Sequence, residues 1–200
     1  KIGLPLFEVK DVPVATPETL TGKILDLRTK EAFRKGFVKG SVNVPYNSKF
    51  VQFVGWFINY DEPLTVIANP AISEELQKDL ASIGYDDLQL IVPENEAAQY
   101  FNDQYDSISA AEFAALYEDS NNVLDVRTTS EYTKSNLNKA VHIHYGHLFN
   151  TETPFSTDEE TIYVHCQSGV RSAMAMSVLK AKGYDNIVNV EAGFIGIQAA

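Results

Sequence analysis

The segment Ile24-Leu-Asp-Leu-Arg28 returns 99 residues later as Val123-Leu-Asp-Val-Arg127, with Asp26 falling on Asp125. The same offset lays Phe33 on Tyr132, Val42 on Val141, Val44 on Ile143 and Tyr46 on Tyr145, and it carries Gly84-Tyr85-Asp86 onto Gly183-Tyr184-Asp185. A period held this long is the mark of a duplicated unit, because each copy must bury its own core with the same spacing of apolar residues. The 200 residues are therefore expected to form two similar domains, 1–98 and 99–200. The stretch from Pro93 to Ser107 between them is polar and reads as a linker, with aromatics that should pack against a domain.

Within each unit, short β-rich runs alternate with helical patterns. Lys23 to Leu27, Val42 to Val44, Leu64 to Ala68 and Leu88 to Val92 are apolar, brief and bounded by turn or charged residues, as buried strands are. Ser73 to Ile83 places Leu76, Leu80 and Ile83 at helical spacing, and Ser172 to Ala181 does the same with Met176 and Leu179. Thr16-Pro17-Glu-Thr-Leu20 and Ser109-Ala-Ala-Glu-Phe113 read as N-capped first turns that open each unit. The fold class expected is α/β, with two domains that are each a mainly parallel sheet flanked by helices. In such sheets a ligand sits beyond the carboxyl ends of the strands.

Charge and composition narrow the function. Sixteen Lys and Arg against 27 Asp and Glu leave a net charge of −11, which repels the phosphates of nucleic acid and anionic lipid, so neither is an expected partner. The longest apolar runs, such as Val51 to Ile58, are far shorter than a membrane span requires. One cysteine, Cys166, leaves no internal disulfide to form and fits a reducing, cytoplasmic setting, and no signal peptide is visible. The first residue, Lys1, suggests a fragment or a processed product. Residues 1–99 hold 10 basic and 14 acidic residues and the remainder 6 and 13, so any attraction of an anion to the second half is expected from a local loop and not from its overall field.

That loop is Cys166-Gln167-Ser168-Gly169-Val170-Arg171-Ser172, set between the apolar run Thr161 to His165 and a helix. A cysteine that ends a strand there meets backbone N–H groups of the turn and the positive end of the helix, surroundings that favour thiolate over thiol, with Arg171 adding a permanent cation. The same donors suit an anion such as a sulfonate, persulfide or phosphate. A buried strand-end cysteine by itself reads as a small apolar residue. The combination of cysteine, glycine and arginine between strand and helix is what argues for chemistry. Gly169 is expected to permit a backbone angle or a close approach that a side chain would block.

These residues resemble the rhodanese family of sulfurtransferases, over nearly the whole chain and twice. The second half carries Val123 to Arg127 with Glu131 and Tyr132, Ala140-Val-His-Ile143, the Cys166 to Arg171 loop, and Gly183-Tyr-Asp followed by Val190-Glu-Ala-Gly193-Phe194. The first half carries Ile24 to Arg28 and Gly36-Phe-Val-Lys-Gly40-Ser-Val-Asn-Val-Pro45. At the equivalent turn the second half departs, with Ser135-Asn-Leu-Asn-Lys139 in place of the glycine-rich sequence. The resemblance implies that Cys166 attacks a sulfane sulfur, carries it as a persulfide and passes it to a thiophilic acceptor such as cyanide, sulfite or a thiol. Arg171 would help bind the anionic donor, thiosulfate or a low-molecular-weight persulfide, while Gln167, Ser168, Gly169, Val170 and Ser172 would form the substrate-binding loop. Asp125 and Arg127 read as structural. No cofactor and no metal is expected. Rhodanese pairs also occur attached to persulfide dioxygenases of metallo-β-lactamase type, which makes a fused or associated dioxygenase domain a candidate partner.

Two other readings fit part of the pattern. Val164-His165-Cys166-x-x-Gly-x-Arg171-Ser172 is similar to the signature of cysteine-dependent phosphatases, but four residues separate Cys166 from Arg171 where that signature has five, and a smaller ring suits a single sulfur atom better than a phosphate. A module that binds persulfide or senses redox state without turnover is the non-enzymatic alternative. In the first half the corresponding stretch, Leu64 to Glu75, has neither cysteine nor arginine, so a non-catalytic role is expected for it. Trp56 is expected in the core, or else lining a cleft between the domains. His142-Ile-His144-Tyr-Gly-His147 has metal-like spacing, but the repeat lays it on Asn43 to Ser48, which has no ligands, so a metal site is not expected there. His165 should point to the opposite side of its strand from the nucleophile and serve the core.

Overall fold

The computed structural model describes residues 8–14, 22–157 and 160–200; the expected helix start at Thr16 to Leu20 lies outside them. The first half forms a four-stranded sheet from β1 (Lys23–Asp26), β2 (Val42–Asn43), β3 (Leu64–Ile67) and β4 (Leu88–Val92). The second forms a five-stranded sheet from β5 (Asp106–Ile108), β6 (Asn122–Asp125), β7 (Val141–His142), β8 (Ile162–His165) and β9 (Ile187–Val190). Every pairing is parallel, so each crossover must carry the chain over a face of the sheet, and it does so mainly through helices.

The strand orders are β2-β1-β3-β4 and β7-β6-β8-β9-β5, so the sequence repeat is a repeat of topology. The fifth position exists in the first half too, as an isolated parallel bridge from Val14 to Ile91 on β4. The correspondence reaches single hydrogen bonds. Arg28 grips Asp26 through Nε and Nη2 and donates to the Gly36 carbonyl at 2.8 Å. Arg127 grips Asp125 in the same way and donates to the Ser135 carbonyl at 2.7 Å. Both carboxylates are fully buried, and a buried charge is tolerated only when it is paired and hydrogen-bonded in this manner. Each guanidinium also lies on an aromatic face, Arg28 on Phe101 and Arg127 on Phe194. Where the second half lacks the glycine turn, Lys139 takes φ 58, in place of Gly40 with φ 88. The turn therefore survives the substitution at a local backbone cost of about 1 kcal/mol.

The helices are α1 (Lys30–Lys35), α2 (Phe50–Val54), α3 (Ser73–Ser82), α4 (Glu94–Ala97), α5 (Ala110–Leu116), α6 (Thr129–Lys134), α7 (Val170–Ala181) and α8 (Gly193–Ala199). Ser109 caps α5 with a reciprocal bond to Glu112, as its sequence foretold. α7 differs from the rest, because all residues from Ser172 to Lys180 are buried. A helix enclosed on every face must be apolar all round, and Ala173, Met174, Ala175, Met176, Val178 and Leu179 make it so. It packs on β8 and β9 of its own sheet and on β2 of the other. The Asn43 N–H donates to Ser177 Oγ at 3.0 Å across that junction, and Ser177 donates onward to the Met174 carbonyl.

The two halves consequently share one core. A single apolar cluster runs from Leu25, Phe33 and Val42 through Met174, Val178 and Ile187. The stretch read as a linker is folded rather than extended: α4, a 3-10 turn over Ala98–Tyr100 and strand β5 occupy it. It is pinned where Phe37 and Asp103 bridge and where buried Lys180 of α7 meets Asp103 at 2.9 Å and Asp185 at 3.0 Å. A lysine enclosed by protein needs such partners, so Asp103 fixes the connection against the central helix.

Candidate active site

Strand β8 ends at His165, and the chain turns through Cys166 to Gly169 into α7. Gly169 is the N-cap of that helix with φ +87, the left-handed region in which a side chain is strained. Cys166 is fully buried, with 0% exposure, and its sulfur accepts the Gly169 N–H at 3.1 Å. The thiol thus sits within the turn at the N-terminus of a 12-residue helix, where unpaired N–H groups and the helix dipole favour negative charge.

α8 closes the loop from behind. The N–H groups of Phe194 and Ile195 donate to the carbonyls of Cys166 and Gln167 at 2.7 and 3.1 Å. Gly193 makes this approach possible, since a Cβ there would overlap the Cys166 carbonyl oxygen. From the sheet side, Arg127 Nη1 donates to Gln167 Oε1 at 3.2 Å. The structural ion pair of the second sheet therefore reaches the loop, a link its first-half counterpart does not make among the described residues. The Gln167 side chain is committed to that bond, while Ser168 and Val170 are exposed, Val170 at 42%.

Arg171 does not stand free. Its Nη1 and Nη2 donate to Oε2 and Oε1 of Glu131, both at 2.7 Å. Glu131 belongs to α6, where it also accepts the Thr128 N–H and hydroxyl at 3.0 and 2.6 Å in a capping box. These bonds, Arg171 first, hold the Glu131 carboxyl down to about 2, and the carboxylate in turn raises Arg171 above its ordinary value, with Cys166 contributing to the same effect. Ser172 is fully buried and its hydroxyl has no hydrogen-bond partner among the described residues. It does not reach the cleft.

A cleft of about 560 Å³ opens beside the loop, lined by Ser168, Val170, Arg171, Thr128 and Tyr145 of the second half and by Asn47, Ser48, Lys49 and Phe53 of the first. Phe53 meets Tyr145 edge-on across it, ring centres 5.8 Å apart. Neither Glu131 nor the first-half wall was assigned a role from the sequence. A larger hollow of about 600 Å³ lies in the first half, around Arg28, Asn69 and Pro93; it holds no nucleophile. Strand register puts Ile67 opposite Asp26 as His165 is opposite Asp125, so Ala68 stands where the second half has Cys166. A 3-10 turn over Pro70–Ile72 replaces the tight loop.

The histidines have other work. His165 is enclosed, its Nδ1 donates to the Cys166 carbonyl at 3.3 Å, and burial pushes its pKa down. His142 stacks on Tyr132 and bonds the Arg127 carbonyl, and His144 Nδ1 accepts the Gly146 N–H. Among the described residues no three metal-binding side chains cluster. Trp56 is 43% exposed and meets His144, Tyr145 and His147 edge-on. It therefore belongs to the seam between the halves and not to the core, because α2, with its single turn of helix, carries the indole past the first sheet to the loop after β7.

A parallel α/β sheet carries a cysteine in a tight turn ahead of a helix, with an arginine one turn on, an arrangement suited to thiol chemistry on a small anion. The Rhodanese-like domain family matches residues 109–200, so this half carries a rhodanese-like domain. Over 76 residues it is 37% identical to the putative sulfur carrier protein YrkF of Bacillus subtilis, a match covering 38% of this chain and 40% of the relative, so the chain spans well under half of that protein. It is 28% identical over 102 residues to thiosulfate sulfurtransferase 18 of Arabidopsis thaliana, covering 44% of this chain and 75% of the relative. A rhodanese-like domain protein from Staphylococcus aureus, known from its crystal structure, is 30% identical and matches with a TM-score of 0.41 over 46% of this chain and 90% of its own. Among the described residues no helix is long and apolar enough to cross a membrane.

Proposed function

We propose that the chain is a sulfurtransferase whose second half, residues 99–200, moves sulfane sulfur from thiosulfate or a low-molecular-weight persulfide to a thiophilic acceptor through Cys166. The observation that carries this reading is the sulfur of Cys166 held by the Gly169 N–H at the start of α7. The Cys166 thiolate attacks the outer sulfur of thiosulfate; an S–S bond forms to the enzyme, the S–S bond of the donor breaks, and sulfite leaves with its electron pair. An acceptor thiolate, sulfite or cyanide then takes the outer sulfur, and the electron pair of the broken bond returns to Cys166. No net oxidation occurs and no cofactor is needed. Backbone N–H groups of residues 167–171 steady the negative charge of the persulfide and of the departing anion. Arg171, fixed by Glu131, shapes the mouth of the loop.

Residues 1–98 are the non-catalytic partner in this proposal, a rhodanese-like copy that supports α7 and walls the cleft. A fused or associated persulfide dioxygenase is the partner enzyme the arrangement suits, since it would produce the sulfite that the second half consumes. Intact mass measured after incubation with thiosulfate or glutathione persulfide tests the reading. One added sulfur atom is expected, removable by cyanide and absent in Cys166→Ser. An unmodified chain under both conditions, or turnover of a phosphate ester without sulfur loading, would overturn it.

A further inference from the structure

We propose that Lys49 of the first half is the cation that binds the anionic end of the sulfur donor, and that the donor it selects is an organic persulfide carrying a carboxylate. The proposal rests on the sulfurtransferase reading and assigns its specificity. The second half has six basic residues, and the structure uses up those that could serve. Arg127 is paired with Asp125, Lys180 with Asp103 and Asp185, and Lys182 bonds the carbonyls of Leu148 and Thr151. Lys134 and Lys139 are exposed and do not line the cleft. Arg171 does line it, but both arms of its fork are taken by Glu131, so that pair presents little net charge to a ligand. The cleft would then be nearly neutral within a half that carries an excess of acidic groups.

Lys49 changes that balance. It precedes α2, lines the same cleft as Ser168 and Arg171, is exposed, and has no ion-pair partner among the described residues. Asn47 and Ser48 beside it offer polar groups, and Phe53 and Tyr145 offer apolar walls. A second lysine of the first half, Lys30, comes near the other side of the loop, its Nζ 3.8 Å from where a Cβ of Gly169 would lie, but Glu31 accompanies it at 3.7 Å. The size of the cleft, about 560 Å³, lies in the range that encloses an organic ligand and far exceeds what thiosulfate fills. In the reaction the Cys166 thiolate attacks the outer sulfur of the persulfide, the new S–S bond forms as the old one breaks, and the leaving thiolate takes up the proton that the persulfide carried. Lys49 touches only the remote carboxylate, so its contribution is uniform binding and appears in KM.

The test measures sulfur transfer to sulfite by the full chain from two donors, glutathione persulfide and the uncharged persulfide of 2-mercaptoethanol. In Lys49→Ala the KM for glutathione persulfide is expected to rise about fivefold and in Lys49→Glu about twentyfold, with kcat within a factor of about two and with the difference shrinking at high salt. Lys49→Arg restores the KM, and the uncharged donor is indifferent to all three variants. Calorimetric titration with glutathione, the product thiol, reads the same dependence without turnover. Equal effects on both donors, or a KM and a glutathione affinity that ignore position 49, would overturn the assignment. Failure of the underlying reading would look different, as an unsubstituted chain whose Cys166 takes up no sulfur.

Discussion

Replacing Glu131 by Gln removes a charge that two elements depend on, and the size of the effect follows from its surroundings. The carboxyl falls from its ordinary 4.5 to about 2 because Arg171 and Thr128 donate to it. At 1.36 kcal/mol per unit this corresponds to at most about 3.4 kcal/mol. The side chain is 28% exposed and that of Arg171 17%, so water screens part of the interaction and about 1–2 kcal/mol is the expected loss at neutral pH. The sign is set by linkage: a carboxyl whose pKa is lowered by folding contributes its stability in full above 4.5 and loses it as pH falls through about 2. Urea unfolding of the two proteins, repeated from pH 7 downward, should give curves separated by a constant gap above pH 5 that closes toward pH 2. A gap that persists unchanged at the acid end would show that shape, not charge, holds Arg171. No gap at all would mean that the pair contributes nothing to stability.

Three further substitutions probe the frame around the loop. Ser177→Ala strands the buried Asn43 N–H between the halves, and urea titration should show a loss of about 1–3 kcal/mol with the m-value unchanged; an unaltered midpoint refutes the coupling. Gly193→Ala drives a Cβ into the Cys166 carbonyl, which should cost about 1–3 kcal/mol and slow sulfur loading together; loading at the normal rate would show that the loop does not need α8 behind it. Cys166→Ser keeps the volume and should leave the melting temperature within a few degrees while lowering transfer by at least about a thousandfold. Retained transfer would place the nucleophile elsewhere.

Much of the fold could be read in advance because its signals are local. The duplicated Ile24–Arg28 and Val123–Arg127 runs each become a central strand with the same aspartate-arginine clamp, and the Cys166 turn follows from a strand, a glycine and a helix in immediate succession. What escaped was long-range. Glu131 and Arg171 are 40 residues apart, and the glutamate's place in a capping box already accounts for it locally, so nothing in the sequence marked it as a partner for the loop. The stretch from Pro93 to Ser107 looked like a linker because Asp103 and Glu94 are polar, yet Asp103 is polar in order to meet the buried Lys180. Trp56 left a core or a cleft between the domains open, because an indole suits either, and three rings of the other half place it at the seam.

In the sulfurtransferase reading proposed above, the first half explains how a second half with so few free cations could handle anions. Ala68 stands at its strand end where its sibling has Cys166, while its sheet carries the same clamp and topology and part of the core on which α7 packs. α7 buries side chains toward both sheets, so the helix whose N-terminus faces the thiol is positioned in part by the half that lacks a cysteine. The two halves are therefore inseparable in packing: the second holds the Cys166 sulfur, and the first braces its helix and brings Lys49 to the cleft. An exposed lysine donated from the less acidic half adds positive charge there without a further cation buried next to Cys166, where desolvation would penalise it.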